Sequence, residues 1–198
     1  MSVATVEYHC DGRPDVSWDE LLGVLDEFDT PDGFKAEIIE GVITLAPPPS
    51  NGHTYIATEL HEALVLAKLP KGLGVIQNLG VVTPRREGYY IPDLVVAKKA
   101  LMISPEKIQA ADVELVVEIT SPSNARHDRL AKRVGYAVAG VPLYLLVDAF
   151  ADGGPTVTLY GEPNGEMYRV LQAGKFGDTF HLPEPFDLDL DTAGWHVG

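Results

Sequence analysis

Cysteine is nearly absent: Cys10 is the one thiol among 198 residues. That excludes an internal disulfide and any cysteine-rich zinc site. Long apolar runs are also missing. The longest, Tyr136 to Val147, is interrupted by Pro142 and falls short of the roughly 18–20 residues that span a bilayer. The opening stretch, MSVATVEYHCDGRPD, has no basic segment followed by an apolar one, as a secretory signal would. A cytoplasmic protein with no membrane partner is therefore the expectation. Neither glycine pattern of the Rossmann or P-loop nucleotide binders occurs.

Basic residues are scarce, with 15 Lys and Arg against 29 Asp and Glu and a net charge of −14. Because phosphate contacts come from Lys and Arg, this balance weighs against simple nucleic-acid binding. The distribution is uneven, however. Nine of the fifteen basic residues lie between Arg85 and Arg133, and Arg126, Arg129, Lys132 and Arg133 fall within eight positions. Local potential matters more than the total, and a divalent ion would alter it further. The same run is also what a solvated helix face on an acidic protein looks like.

What is present suits one globular domain. Hydrophobic residues make up 45% of the chain, enough for a sizeable core. Residues 1–16 read as an N-terminal tail and 17–198 as a single domain. Ser17-Trp-Asp-Glu20 is a capping-box pattern that starts a helix running to Asp26 or Phe28. Ala36–Ala46, rich in β-branched residues and broken at Glu40-Gly41, predicts a hairpin. A second helix is predicted over Gly52–Leu69, where Ile56, Leu60 and Leu64 repeat every four residues. Val75–Thr83 and Tyr90–Ala97 read as two strands paired around a turn at Arg85–Gly88. Val113–Ile119 is apolar enough for a central strand covered on both faces. A third helix over Ala125–Ala139 ends at Gly140 and Pro142, and Leu143–Val147 is another buried strand. From Thr156 onward the chain reads as short strands and turns at an edge. The alternation points to an α/β or α+β fold.

Two of these strands carry carboxylates that apolar periodicity does not explain: Asp93, before Leu94-Val95-Val96, and Glu118, after Leu115-Val116-Val117. A charge in or beside a buried strand costs several kcal/mol unless it is paired or binds a metal, roughly as for any buried ion. Two such groups on neighbouring strands could converge on Mg²⁺, which takes one or two carboxylates, keeps waters and lets substrate phosphate complete its shell. Lys132, on the helix that leaves the same strand end, would orient a nucleophile and stabilise developing charge. Each residue has a plainer explanation. Asp93 could cap a turn or pair with an arginine, and Glu118 could form a structural ion pair. Lys132 lies four residues after Asp128, the spacing of an ordinary helical pair. His61 and His127 lack the partners of a zinc site and are read as structural. Tyr136, one turn past Lys132, either packs beneath the lysine or bonds to it.

Asp93, Glu118 and Lys132, in that order, resemble the PD-(D/E)XK nuclease superfamily, and within it the Uma2 family of restriction endonucleases, formerly a domain of unknown function. The stretches that carry the resemblance are Glu37-Ile-Ile-Glu-Gly41, Pro47-Pro-Pro-Ser-Asn-Gly-His53, Ile91-Pro-Asp-Leu-Val-Val96, Val116-Val-Glu-Ile-Thr-Ser-Pro-Ser123, Asp128-Arg-Leu-Ala-Lys132, Tyr136, Ala139-Gly-Val-Pro142 and Tyr144-Leu-Leu-Val-Asp148. The resemblance implies a restriction-endonuclease-like central mixed sheet flanked by helices, with an N-terminal hairpin and extra edge strands at the C-terminus. It implies a Mg²⁺-dependent endonuclease, with Mn²⁺ able to substitute, acting on DNA as a homodimer. Asp93, Glu118 and the carbonyl of Ile119 would hold the metal. The superfamily's lysine, normally two residues after the acid, would be replaced by Lys132, since Thr120 stands there. Glu37 would be a further catalytic acid, although an exposed hairpin glutamate is the plainer reading. His53 and Arg129 would contact substrate, although a histidine at a helix entry is often a surface or capping residue. The alternative is a catalytically silent protein of this fold that binds nucleic acid or a protein partner.

Overall fold

The structure is a computed structural model that describes residues 16–196. Cys10 and all of the expected N-terminal tail except Val16 lie outside the described residues. The first helix, α1 (Trp18–Asp26), opens on the anticipated capping box: the Glu20 amide donates to Ser17 Oγ and the Ser17 amide donates to Glu20 Oε2 at 2.8 Å. Strands β1 (Lys35–Ile39) and β2 (Val42–Ala46) form the expected hairpin. Its two turn residues, Glu40 (φ 51°) and Gly41 (φ 79°), are both left-handed, the backbone that matches strand twist in a two-residue turn. Helix α2 (Asn51–Leu66) is capped by Ser50, whose Oγ accepts from the His53 amide. It buries Ile56, Leu60 and Leu64, the stripe its periodicity predicts.

The two long strands expected next are each broken in half. Val75–Thr83 is shared between β3 (Leu73–Gln77) and β4 (Val81–Thr83), and Tyr90–Ala97 between β5 (Gly88–Tyr90) and β6 (Leu94–Lys98). The predicted antiparallel pairing holds, but β3 pairs with β6 in one sheet and β4 with β5 in another. The reason is local. Asn78 takes a left-handed φ of 56°, and Pro92 brings no amide hydrogen to a ladder. Both chains turn between sheets at the same level.

After the short β7 (Ile108–Gln109), β8 (Val113–Ile119) is the central strand anticipated, flanked by β6 and by β9 (Leu143–Asp148). Residues 125–139 form one helix, as expected, but its middle is a π-helical turn, His127–Lys132, leading into α3 (Arg133–Ala139). The C-terminal strands are longer than the sequence suggests. β10 (Thr156–Asn164) and β11 (Met167–Lys175), nine residues each, add a hairpin to β9 and so extend the central sheet. β12 (Thr179–Leu182) and β13 (Leu188–Asp191) form a separate ribbon.

The result is a six-stranded sheet, β11-β10-β9-β8-β6-β3, in which only β8 and β9 run parallel. Beside it stands a five-stranded sheet, β2-β1-β5-β4-β7. Strand alternation sorts the side chains. Leu94, Val96, Leu115, Val117 and Ile119 pack under α2 and the β12–β13 ribbon. Val95 and Val116 face the opposite way, toward Tyr136 of α3 and Tyr90 of the second sheet. Asp93 and Glu118 fall on this second phase, each two residues from Val95 or Val116. Both carboxylates therefore face the seam between the sheets.

Leu60 is fully buried and Leu66 is 82% exposed on the same helix. Leu60→Ala is expected to destabilise by about 2–5 kcal/mol through a cavity, and Leu66→Ala by no more than about 0.5 kcal/mol. Urea unfolding measures both. Equal effects would refute the assigned face of α2.

Candidate active site

Five segments of the chain deliver the candidate side chains. Asp93 precedes β6 and Glu118 lies near the end of β8. Glu37 and Lys35 come from β1 and His53 from the first turn of α2. Lys132 comes from the π turn. Together they line a small pocket of about 30 Å³, room for a water or a small ion. Lys35 and Glu37 share it because residues two apart on a strand point the same way. That spacing was the signal by which Lys35 could have been found.

Lys132 stands at the centre. Its ammonium is 2.9 Å from Glu37 Oε1, 3.2 Å from Glu118 Oε1 and 3.3 Å from Asp128 Oδ1, with only 2% of the side chain exposed. Burial pulls its pKa down, but Glu118, Glu37 and Asp128 outweigh that and hold it well above the ordinary lysine value. Asp128 completes this group although its side chain was read only as a helical partner of the lysine. It is fully buried. Its contact with Lys132 is ionic and poorly aligned, and both carboxyl oxygens lack a hydrogen bond among the described residues. Within the π turn the Asp128 carbonyl accepts from Tyr144 Oη at 2.9 Å. Such turns recur at functional sites, and no sequence signal announces them.

Asp93 is held from three sides. Lys35 Nζ lies 3.0 Å from Oδ1, His53 Nε2 lies 3.0 Å from Oδ2, and the Ile119 amide donates to Oδ2 at 2.8 Å. Burial pushes its pKa up, yet His53, Lys35 and the Ile119 amide together bring it down to about 2. The arginine partner considered for Asp93 is thus a lysine and a histidine. Glu37, expected either as a further catalytic acid or as an exposed hairpin glutamate, is buried and accepts from the Ile91 amide at 2.6 Å. Tyr136 does not bond to Lys132; its hydroxyl donates to Glu118 Oε1 at 2.8 Å. Arg129 is not brought to the pocket. It forms a two-pronged pair with Asp148 at 2.6 and 2.7 Å and donates to the Phe150 carbonyl.

The charges do not balance. Glu37, Asp93, Glu118 and Asp128 contribute four carboxyl groups against the two ammonium groups of Lys35 and Lys132. Protons make up part of the difference. Burial drives Glu118 up to about 8, helped by Asp128, Asp93 and Glu37 and opposed by Lys132. Burial likewise drives Asp128 up to about 7. An all-oxygen donor set short of positive charge is one that a hard divalent cation complements. Asp93 and Glu118 fit that role chemically, with lysines now as their counter-ions. Among the described residues no three His, Cys, Asp or Glu side chains already stand as an ion cage.

These shifts have a sign in stability. Between about pH 4.5 and 8 folded Glu118 retains a proton that the unfolded chain has lost, so unfolding free energy falls as pH rises through that window. Asp93 acts oppositely: its contribution is present above pH 3.8 and lost as pH falls toward 2. In metal-free buffer the protein is expected to be more stable at pH 5 than at pH 8, and Glu118→Gln to flatten that slope. Urea midpoints across the range provide the check. An unchanged slope in the variant would rule out Glu118 as its source.

A family model described as "Uma2: Putative restriction endonuclease" matches residues 18–193. Among solved structures, a putative nuclease belonging to DUF820 from Anabaena variabilis ATCC 29413 is similar over 90% of this chain and 96% of its own. The TM-score is 0.64 and the sequence identity 20%, so the likeness is one of fold. No curated protein matches the sequence.

Proposed function

The chain belongs to the Uma2 family, and on that premise we propose that it is a divalent-metal-dependent endonuclease that hydrolyses phosphodiester bonds in DNA. The observation that supports this reading is the convergence of Asp93, Glu118, Glu37 and Lys132 on one pocket, Asp93 from just before β6 and the others from β8, β1 and the π turn. Asp93 and Glu118 would hold Mg²⁺, or Mn²⁺ in its place, with the Ile119 carbonyl as a third oxygen. Bound there, the ion would polarise a phosphoryl oxygen and acidify a water.

The remaining work falls to the chain's own groups. Lys35, His53 and the Ile119 amide keep Asp93 ionised and fix its orientation. Tyr136 orients Glu118 through Oε1. Glu37 and Asp128 hold Lys132 charged in the pocket wall, where its ammonium would stabilise charge developing on phosphate. His53 lines the pocket and is the closer candidate for substrate contact. Arg129 would reach substrate only by releasing Asp148. Cutting both strands of a duplex would call for two such sites in a symmetric dimer.

A second reading, a silent protein of this fold that binds a nucleic acid or protein partner, draws on one observation. Lys132 is fully engaged by three carboxyl groups. Calorimetric titration with Mn²⁺ separates the two, and no heat of binding at millimolar ion, with DNA present, would favour the silent protein.

With plasmid or oligonucleotide DNA and Mn²⁺, Asp93→Ala and Glu118→Ala are expected to abolish cleavage. Lys132→Met should lower the rate about 10²–10³-fold, as loss of a preorganised charge does. Equal cleavage by wild type and all three variants would point to a contaminant and sink the assignment.

A further inference from the structure

The catalytic pocket, at about 30 Å³, has no room for a base or sugar, so whatever flanks a scissile phosphate lies outside it. A cleft of about 600 Å³ adjoins the pocket and shares Lys35, Pro49 and Ile91 with it. Three aromatic rings, Phe28, Phe34 and Tyr89, line this cleft. Phe28 and Phe34 belong to none of the hydrophobic core clusters, and Phe34 is 37% exposed. Two aromatics are thus held in a concave wall without serving a core. Tyr89 is fixed as the third wall: Lys107 Nζ lies 5.2 Å from its ring centroid and pairs with Asp26 at 2.6 Å. A side chain at Gly80 would collide with the Tyr89 hydroxyl, so glycine there leaves space for the ring. Asn78 stands on the rim in its left-handed conformation, and its carboxamide makes no hydrogen bond among the described residues.

The charge pattern narrows the occupant. Lys35, at the end shared with the catalytic pocket, is the one cation among the residues lining the cleft. Asp26 also lines it, held by Lys107, and the nearby Glu27, Asp29 and Asp32 are exposed, which disfavours a duplex backbone along this face. A fitting ligand is flat and uncharged over most of its length and anionic where it meets Lys35. We propose that the cleft receives an unpaired nucleobase beside the scissile phosphate, so that the substrate class is single-stranded or locally unpaired nucleic acid. This rests on the nuclease reading above. Stacking of a base on aromatic side chains is tolerant of sequence, and Asn78 could meet a base edge.

Two measurements on the full chain test this. In the first, 2-aminopurine is moved along a short single strand in metal-free buffer. Quenching is expected at one position, with affinity about 10–100-fold weaker in Phe34→Ala and retained in Phe34→Tyr, an effect the size of one lost base stack. In the second, cleavage with Mn²⁺ is compared on the intact strand, on one with an abasic site at that position and on the matching duplex. The abasic site should lower kcat/KM by a similar factor, with no further loss in Phe34→Ala. Cleavage that ignores both the abasic site and Phe34→Ala, or that favours the duplex, overturns the cleft proposal while the nuclease reading stands. If no nucleic acid is cut, the nuclease reading fails, and the binding measurement decides the cleft alone. Quenching lost in Phe34→Ala supports it, and no positional quenching overturns it.

Discussion

A buried ammonium organises this molecule. Lys132 has 2% of its side chain exposed and touches carboxylates from β1, β8 and its own helix. Removing such a charge from water costs several kcal/mol, an order-of-magnitude figure that only close, multiple partners offset. The partners are equally dependent on it, since Glu37, Glu118 and Asp128 would otherwise be buried together with little to balance them. The two sheets and the third helix are thereby tied through one nitrogen atom. The seam between the sheets is where these buried charges gather.

The arrangement is deliberately incomplete in charge. Four carboxyl groups surround two lysines, and Glu118 and Asp128 hold protons at pH values where ordinary carboxyl groups have lost them. Asp93 escapes this because Lys35, His53 and a backbone amide all address it. Groups of one type in one pocket are thus driven apart in acidity by their neighbours. Such separation marks functional sites, though structural ion-pair networks can produce it as well.

Much of this was legible beforehand, for identifiable reasons. The Ser17 cap, the Glu40-Gly41 turn and the α2 stripe are set by interactions within a few residues. Asp93 and Glu118 stood out because a charge beside an apolar strand has few innocent explanations. Glu37 kept two readings, catalytic acid or exposed hairpin glutamate, because a hairpin seen alone has no covering layer; the packed structure buries it against Lys132. Arg129 read as a substrate contact because Asp148, its partner, lies nineteen positions away across the parallel β8–β9 crossover. The length of β10 and β11 is hidden because Gly161 and Pro163 in the one and Gly174 in the other read as turn signals, which pairing with the neighbouring strands overrides.

By itself, then, the sequence determined the elements, the central strand and the two carboxylates that apolar periodicity could not absorb, since local propensity and strand alternation act through neighbours along the chain. Only the tertiary structure decided that Lys35 and Asp128 join them. It also decided that Tyr136 bonds Glu118 and that the strands around Asn78 and Pro92 divide between two sheets. Those outcomes depend on which charges are brought within about 3 Å of one another after burial, and no spacing along the chain encodes that distance.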